Sequence, residues 1–119
     1  MKKTLVIGAS VKPDRYAYKA INALVKNGHE VKALGIKPGN VAGVEFDTEQ
    51  ISYPDIDTVT LYVGPSNQKE YYRYIQQLQP KRVIFNPGTE NPELEEMLLK
   101  QGIEVERACT LVLLSTAQF

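Results

Sequence analysis

Short apolar stretches rich in β-branched residues recur along the chain and define its predicted sheet. The clearest of them are continuous apolar runs, which are typical of strands buried on both faces of a parallel sheet. Each of the first four ends at a glycine or at a turn that contains proline. The five predicted strands are residues 4–7, 30–34, 58–63, 82–85 and 103–106.

Apolar residues at helical spacing lie between these strands. Ala17, Ile21, Leu24 and Val25 fall on one face of a helix, and Gly28 follows as its C-terminal stop. A further helix is predicted to begin clearly at Asn91-Pro92, since asparagine is a good N-cap and proline suits the first helical position.

The segment after the third strand contains a helix whose limits we predict from one cap and one breaker. Ser66 is the expected N-cap and Pro80 ends the helix. We expect Tyr71 to pack inward, and Tyr72 and Tyr74 to lie on the helix surface or in a subunit contact. The apolar stripe of this helix consists of Tyr71, Ile75 and Leu78.

Two segments are harder to assign. Residues 44–46 are compatible with a short edge strand, and residues 48–51 with one helical turn. The apolar run 111–114 near the end of the chain is expected to be a short docked helix or turn. Together with Phe119, this run either completes the core or forms the contact of a homodimer.

Strands that alternate with helices predict an α/β fold. The expected architecture is a Rossmann-like three-layer fold with a five-stranded, mainly parallel sheet, to which residues 44–46 add a short edge strand. Residues 1–119 form one domain, because the length suits a single core and no linker, repeat or low-complexity segment interrupts it.

Composition and charge narrow the class of partner. Fourteen basic and fourteen acidic residues cancel, so the chain has no overall field to attract a nucleic acid. It lacks the apolar segment of a signal peptide or of a membrane span. Cys109 is the only cysteine, which fits a reducing, cytoplasmic location. One histidine and one cysteine give no basis for a metal site.

The chemistry of such a fold is expected beyond the carboxyl ends of its strands. The first of these loops carries small residues and positive charge, at the place where a helix N-terminus offers free N–H groups to phosphate. The strict G-x-G-x-x-G signature of dinucleotide binding is absent, because Ser10 and Pro13 stand where later glycines would be. The residues of this loop that point to a phosphate site are Gly8, Ala9, Ser10, Lys12 and Arg15.

The residues at the end of the second strand indicate which of two kinds of nucleotide the site would bind. Proteins that bind NAD place an acid there to hold the ribose hydroxyls. This chain has no acid at that position and has Lys37-Pro38 instead. A lysine suits a ligand with an additional phosphate on the adenosine ribose, such as coenzyme A or NADP.

The chain resembles the small CoA-binding domain family, whose members are related to the nucleotide-binding domain of the succinyl-CoA synthetase α subunit. The resemblance extends over nearly the whole chain in order, although no single motif decides it. It is carried by residues 5–10 with Lys12-Pro13 and Arg15, residues 28–31, Lys37-Pro38, Gly43, residues 56–59, residues 86–89, residues 102–105 and Cys109.

This resemblance implies a role for each loop. The small residues of the first loop would bind the pyrophosphate, its two basic residues would meet phosphate charge, and Lys37-Pro38 would lie near the adenosine. Val63-Gly64-Pro65 would flank the adenine or the pantetheine arm, and Asn86-Pro87-Gly88 with Cys109 would line the far end. The chain departs from the family at Lys37, where asparagine is common, and at Thr110, where proline usually follows the cysteine.

Three functions remain open on these grounds. The first is a non-catalytic module that binds coenzyme A or an acyl-CoA. The second is an enzyme that acts on a CoA thioester with Cys109, and the third is a regulatory domain that binds NADP or another nucleotide. The phosphotransfer of the synthetase is not implied, because the only histidine, His29, precedes the second strand at the opposite end of the sheet.

Overall fold

The computed structural model describes all 119 residues, and its elements alternate along the chain as the sequence predicts. The strands are β1 Thr4–Ala9, β2 Val31–Gly35, β3 Asn40–Val41, β4 Val44–Asp47, β5 Thr58–Leu61, β6 Arg82–Phe85 and β7 Glu104–Arg107. The α-helices are α1 Tyr16–Lys26, α2 Tyr72–Leu78, α3 Pro92–Lys100 and α4 Thr110–Ser115, and short 3-10 helices span Pro65–Asn67 and Lys69–Tyr71. No helix is both long and apolar enough to cross a membrane.

The strands form one sheet in the order β3-β4-β2-β1-β5-β6-β7. All pairs are parallel except β3 with β4. Since β1 lies between β2 and β5, the chain runs outward from the centre in one direction and then in the other. This reversal places the loops after β1, β2 and β5 side by side, which confirms the predicted α/β, Rossmann-like class.

Each face of the sheet packs against its own pair of helices. Leu5 and Ile7 of β1 belong to the core beneath α2 and α3, whereas Val6 between them belongs to the core beneath α1 and α4. Strands covered on both sides need apolar residues at consecutive positions, which explains why their sequences are continuous apolar runs.

The edge of the sheet beyond β2 is more regular than expected. The predicted edge strand is present as β4, which pairs in parallel with β2, and a seventh strand, β3, pairs with it through a two-residue turn. Ala42 and Gly43 both have positive φ in this turn, the combination that a tight hairpin requires. The predicted helical turn at residues 48–51 is wrong, because that segment has no helical hydrogen bonds.

The segment before α2 also differs from the prediction. Ser66 does not cap a helix and lies inside the first 3-10 helix, so α2 begins only at Tyr72. Tyr74, which we expected at the surface, is only 4% exposed and donates a hydrogen bond to the Ile51 carbonyl at 2.7 Å. The two 3-10 turns shift the phase of the helix, and a periodicity counted from Ser66 therefore fails to assign Tyr74 to the core.

The remaining helix limits agree with the sequence. Gly28 follows α1 with φ of 82°, and the Asn91 side chain accepts a hydrogen bond from the Leu94 N–H at the start of α3. The tail forms α4, which buries Leu113 and Leu114 against the sheet. The tail therefore completes the core of its own chain.

Candidate functional site

A single large cavity of about 970 Å³ opens at the carboxyl ends of the central strands. Its volume lies in the usual range for a cofactor or ligand pocket. The cavity brings together residues from all the loops that the sequence singled out. The predicted site residues that line it are Gly8, Ala9, Ser10, Lys12, Arg15, Lys37, Pro38, Val63, Gly64, Pro87 and Gly88.

Gly8 lines the cavity at the point where the backbone of β1 approaches the end of β5. Its φ is +94°, which L-residues with side chains rarely adopt, and a Cβ atom there would lie 2.8 Å from the Tyr62 carbonyl oxygen. The register of β1 on β2 also shifts between Ile7 and Ala9. Only glycine allows the chain to turn out of β1 at this point and to remain packed against the end of β5.

The loop after β1 offers an environment for anions. The Ser10 Oγ accepts a hydrogen bond from the Lys12 N–H at 3.1 Å, and both residues line the cavity. No side chain caps α1 at Arg15, and its first turn contains no acid, so the first N–H groups of the helix are free. Free N–H groups and two exposed basic side chains attract phosphate, although Asp14 also lines the cavity and opposes them.

The loop after β2 forms the adenosine side of the expected site. Lys37 lines the cavity and, as predicted, the end of β2 itself carries no acid. A carboxylate reaches the cavity from another element, because Glu70 in the second 3-10 helix also lines it. Beside it, Thr48 and Gln50 line a smaller adjoining cavity of about 310 Å³. Sequence reasoning missed Glu70, since it belongs to a segment we expected to be ordinary helix surface.

The loops after β5 and β6 form the far wall of the cavity. Val63 and Gly64 line it from one loop, and Pro87, Gly88 and Thr89 line it from the other. Tyr71, predicted to pack inward, is partly buried against the core and also lines the cavity. Tyr71 thus contributes to both the core and the site. A hydrophobic pattern in the sequence cannot distinguish these two roles.

Three predicted site residues do not line the cavity. Asn86 is buried, donates to the Leu61 carbonyl at 2.9 Å and accepts from the Thr110 N–H at 2.9 Å. Cys109 is partly buried and occupies the N-cap position of α4. Pro65 begins the first 3-10 helix with its side chain outside the lining. Asn86 thus joins β5, β6 and α4 beneath the site.

Tyr62 lies between the cavity and this buried polar group. Its hydroxyl is enclosed and has no hydrogen-bond partner. Burial raises the pKa of Tyr62 to about 12, and the neighbouring hydroxyls of Thr110 and Thr60 oppose that rise only in part. Tyr62 is therefore neutral under ordinary conditions, and it also lines the cavity.

His29 lies at the other end of the sheet. Its Nδ1 accepts a hydrogen bond from the Lys2 N–H at 2.9 Å, and its ring lies 4.9 Å from that of Phe119. Burial lowers the pKa of His29 below its ordinary value of 6.5, and the positive charges of the N-terminus and Lys2 add to this effect. The histidine contributes to the closed end of the sheet, away from the cavity.

A doubly wound sheet with a cavity at its switch point defines a fold of the Rossmann type. Residues 2–115 match the family described as "CoA binding domain". The chain therefore belongs to the CoA-binding domain family. None of the curated proteins matches it.

Solved structures share the fold over nearly the whole chain. The chain is 52% identical to a protein described as uncharacterized, with a TM-score of 0.97 and coverage of 100% of this chain and 98% of the other. A hypothetical protein from Pyrococcus horikoshii OT3 is 28% identical, with a TM-score of 0.82 and coverage of 94% and 81%. A protein from Thermus thermophilus is 24% identical, with a TM-score of 0.86 and coverage of 99% and 90%, and this similarity concerns the fold alone.

Proposed function

We propose that the protein binds coenzyme A or an acyl-CoA as a small, non-catalytic cytoplasmic module. The observation that carries the proposal is the convergence of three features on one cavity: the uncapped N-terminus of α1, the basic residues Lys12 and Arg15, and Lys37 beyond β2. Membership in the CoA-binding domain family supports the choice of this ligand among adenine nucleotides.

The positive charges match the phosphates of this ligand. In the proposed complex the pyrophosphate lies over the N-terminus of α1, where N–H groups, Lys12 and Arg15 surround it. The ribose 3′-phosphate lies near Lys37. A ligand without this phosphate would leave Lys37 without a partner, whereas NAD would require an acid at the end of β2.

The far wall suits the rest of the molecule. Val63, Gly64 and Gly88 present small or apolar surfaces that a slender pantetheine arm can follow. The position of Cys109 supports binding without covalent chemistry, because its side chain does not line the cavity. Recognition of a ligand, rather than its conversion, is the activity that this arrangement serves best.

Calorimetric titration with coenzyme A, dephospho-CoA, NADP and NAD tests the proposal. We expect coenzyme A to bind most tightly, and Lys37→Ala to weaken its binding about tenfold, the value of one charge-assisted contact. Dephospho-CoA should bind both proteins equally, because the contact that Lys37 makes is already absent. Lys26→Ala, an exposed lysine at the other end of α1, is the matched control and should change nothing.

The outcomes separate the rival functions. Tighter binding of NADP than of coenzyme A would overturn the proposal in favour of a regulatory domain for that dinucleotide. Turnover of an acyl-CoA that disappears in Cys109→Ser would overturn the non-catalytic assignment. Absence of binding to all four nucleotides would reject the site itself.

A further inference from the structure

Gln68 is a fully buried polar residue in a segment that is otherwise exposed. It lies between the two 3-10 helices that precede α2. Burying a side-chain amide is unfavourable unless its hydrogen-bonding groups find partners. The burial of Gln68 is therefore favourable only if its amide group is fully hydrogen-bonded.

The amide nitrogen of Gln68 joins the two loops of the far wall. Its Nε2 donates to the Val63 carbonyl at 2.8 Å and to the Thr89 carbonyl at 2.7 Å. Val63 belongs to the loop after β5, and Thr89 to the loop after β6, and both line the cavity. Because the two hydrogens of one amide group serve both carbonyls, Gln68 fixes the distance between these loops.

The amide oxygen of Gln68 connects the same unit to α3. It accepts a hydrogen bond from Asn91 Nδ2 at 2.9 Å, and that nitrogen also donates to the Tyr72 hydroxyl at 2.8 Å. Asn91 is the N-cap of α3, and Tyr72 is the first residue of α2. The far wall is thus tied to both helices on one face of the sheet.

We propose that Gln68 is the positioning residue that sets the width of the far half of the cavity, where the pantetheine arm lies. It thereby controls the preference of the site for whole coenzyme A over the nucleotide part alone. This inference depends on the proposed function. Gln68 makes no hydrogen bond with Lys12, Arg15 or Lys37, so we expect phosphate binding in the near half of the cavity to be unaffected by its loss.

The test compares two probes on one variant. Gln68→Met keeps the size of the side chain and removes its hydrogen bonds. Calorimetry with coenzyme A should show binding about tenfold weaker than in the wild type, while adenosine 3′,5′-bisphosphate, which lacks the arm, should bind with unchanged affinity. Gln77→Met, an exposed residue of α2, makes the same chemical change and should leave both affinities unchanged.

A milder variant decides the matter if Gln68→Met does not fold. Asn91→Ser removes the bonds from Nδ2 to the Gln68 oxygen and to the Tyr72 hydroxyl, and it retains a hydroxyl to cap α3. We expect about threefold weaker coenzyme A binding with unchanged bisphosphate binding. Equal losses for both probes, or no loss for either, would overturn the role of Gln68. A wild-type protein that does not bind coenzyme A would instead overturn the proposed function.

Discussion

At the scale of single residues, the shape of the site depends on the backbone conformation of Gly8. Gly8 combines a positive φ with an approach to the Tyr62 carbonyl that leaves no space for a methyl group. The sequence predicted the importance of Gly8, because a glycine after a buried strand is a familiar signal. It could not show that Tyr62 is the residue that makes glycine necessary.

We expect Gly8→Ala to lower the free energy of unfolding by about 2–4 kcal/mol, from the strain of positive φ together with displacement of the end of β5. Coenzyme A binding should fall with it, since the loop after β1 would move. The control is Gly28→Ala, where φ is +82° and nothing lies within 4 Å, so about 1–2 kcal/mol of backbone strain is the only expected cost. Urea denaturation measures both, and equal losses would contradict the steric explanation.

The burial of two polar residues beside the site is the feature that sequence patterns did not predict. Gln68 and Asn86 are both enclosed and fully engaged in hydrogen bonds with backbone groups from distant loops. A glutamine in a polar segment is usually exposed, so its composition gives no signal of burial. The position of Lys12 and Lys37 at the cavity was predictable, because the place of a loop that follows a strand depends only on the fold.

At the scale of elements, the start of α3 has two functions. Asn91 caps the helix through its oxygen and supports Gln68 and Tyr72 through its nitrogen. Its role as a cap was predictable from the local sequence Asn91-Pro92. The second function depends on residues about twenty positions earlier in the chain, and no local pattern contains it.

Two substitutions separate these functions. Asn91→Ser keeps a capping oxygen and should destabilise the protein by about 1–2 kcal/mol through the lost bonds to Gln68 and Tyr72. Asn91→Ala also loses the cap and should cost about 1 kcal/mol more. Urea denaturation measures the free energy of unfolding of both variants. The comparison is valid when the slope of this free energy against urea concentration is the same as in the wild type. The same stability for both variants would show that the oxygen of Asn91 contributes nothing as a cap.

The predicted helices and strands agree with the structure where one physical signal dominates the local sequence. Buried strands such as β5 and β6 appeared as apolar runs, and α3, the helix with a strong cap, began where expected. The segment from Pro65 to Tyr71 did not follow it, because consecutive 3-10 turns break the helical period. Only the β4 strand of the β3–β4 hairpin was predicted. Ala42 adopts a positive φ that alanine rarely takes, so the sequence did not indicate the turn between the two strands.

At the scale of the whole molecule, the two ends of the sheet have different chemistry. The carboxyl ends carry glycine-rich loops, free N–H groups and the cavity. The opposite end is closed by Lys2, His29 and Phe119, with Arg82 stacked 4.6 Å from the Phe119 ring. The alternation of strands and helices predicted this division, because a parallel sheet collects all its strand ends of one kind on one side.

The closed end makes stability depend on pH. Folding lowers the pKa of His29 from its ordinary value of 6.5, so the unfolded chain binds a proton more readily between the two values. Stability should therefore decrease as pH falls from about 6.5 to the lowered pKa, and the loss should be complete below it. Protonation of Nδ1 would also break the bond from the Lys2 N–H.

His29→Asn retains an acceptor for the Lys2 N–H and cannot be protonated in this range. The difference in melting temperature between wild type and His29→Asn, measured from pH 8 to pH 5, should shift in favour of the variant as the pH falls. Coenzyme A affinity should show no such difference between the two proteins, because His29 is remote from the cavity. A constant difference in melting temperature would contradict the role assigned to His29.

The contact between Lys2 and Phe119 has a consequence for protein engineering. The Lys2 ammonium group donates to the Phe119 carbonyl and lies over its ring, so a few added residues would suffice to join the two ends. A circularly permuted protein could then begin and end in the exposed β2–β3 connection beside the cavity. Fluorescent domains attached at those new ends would lie next to the proposed adenosine side of the site, an arrangement suited to an optical sensor of its ligand.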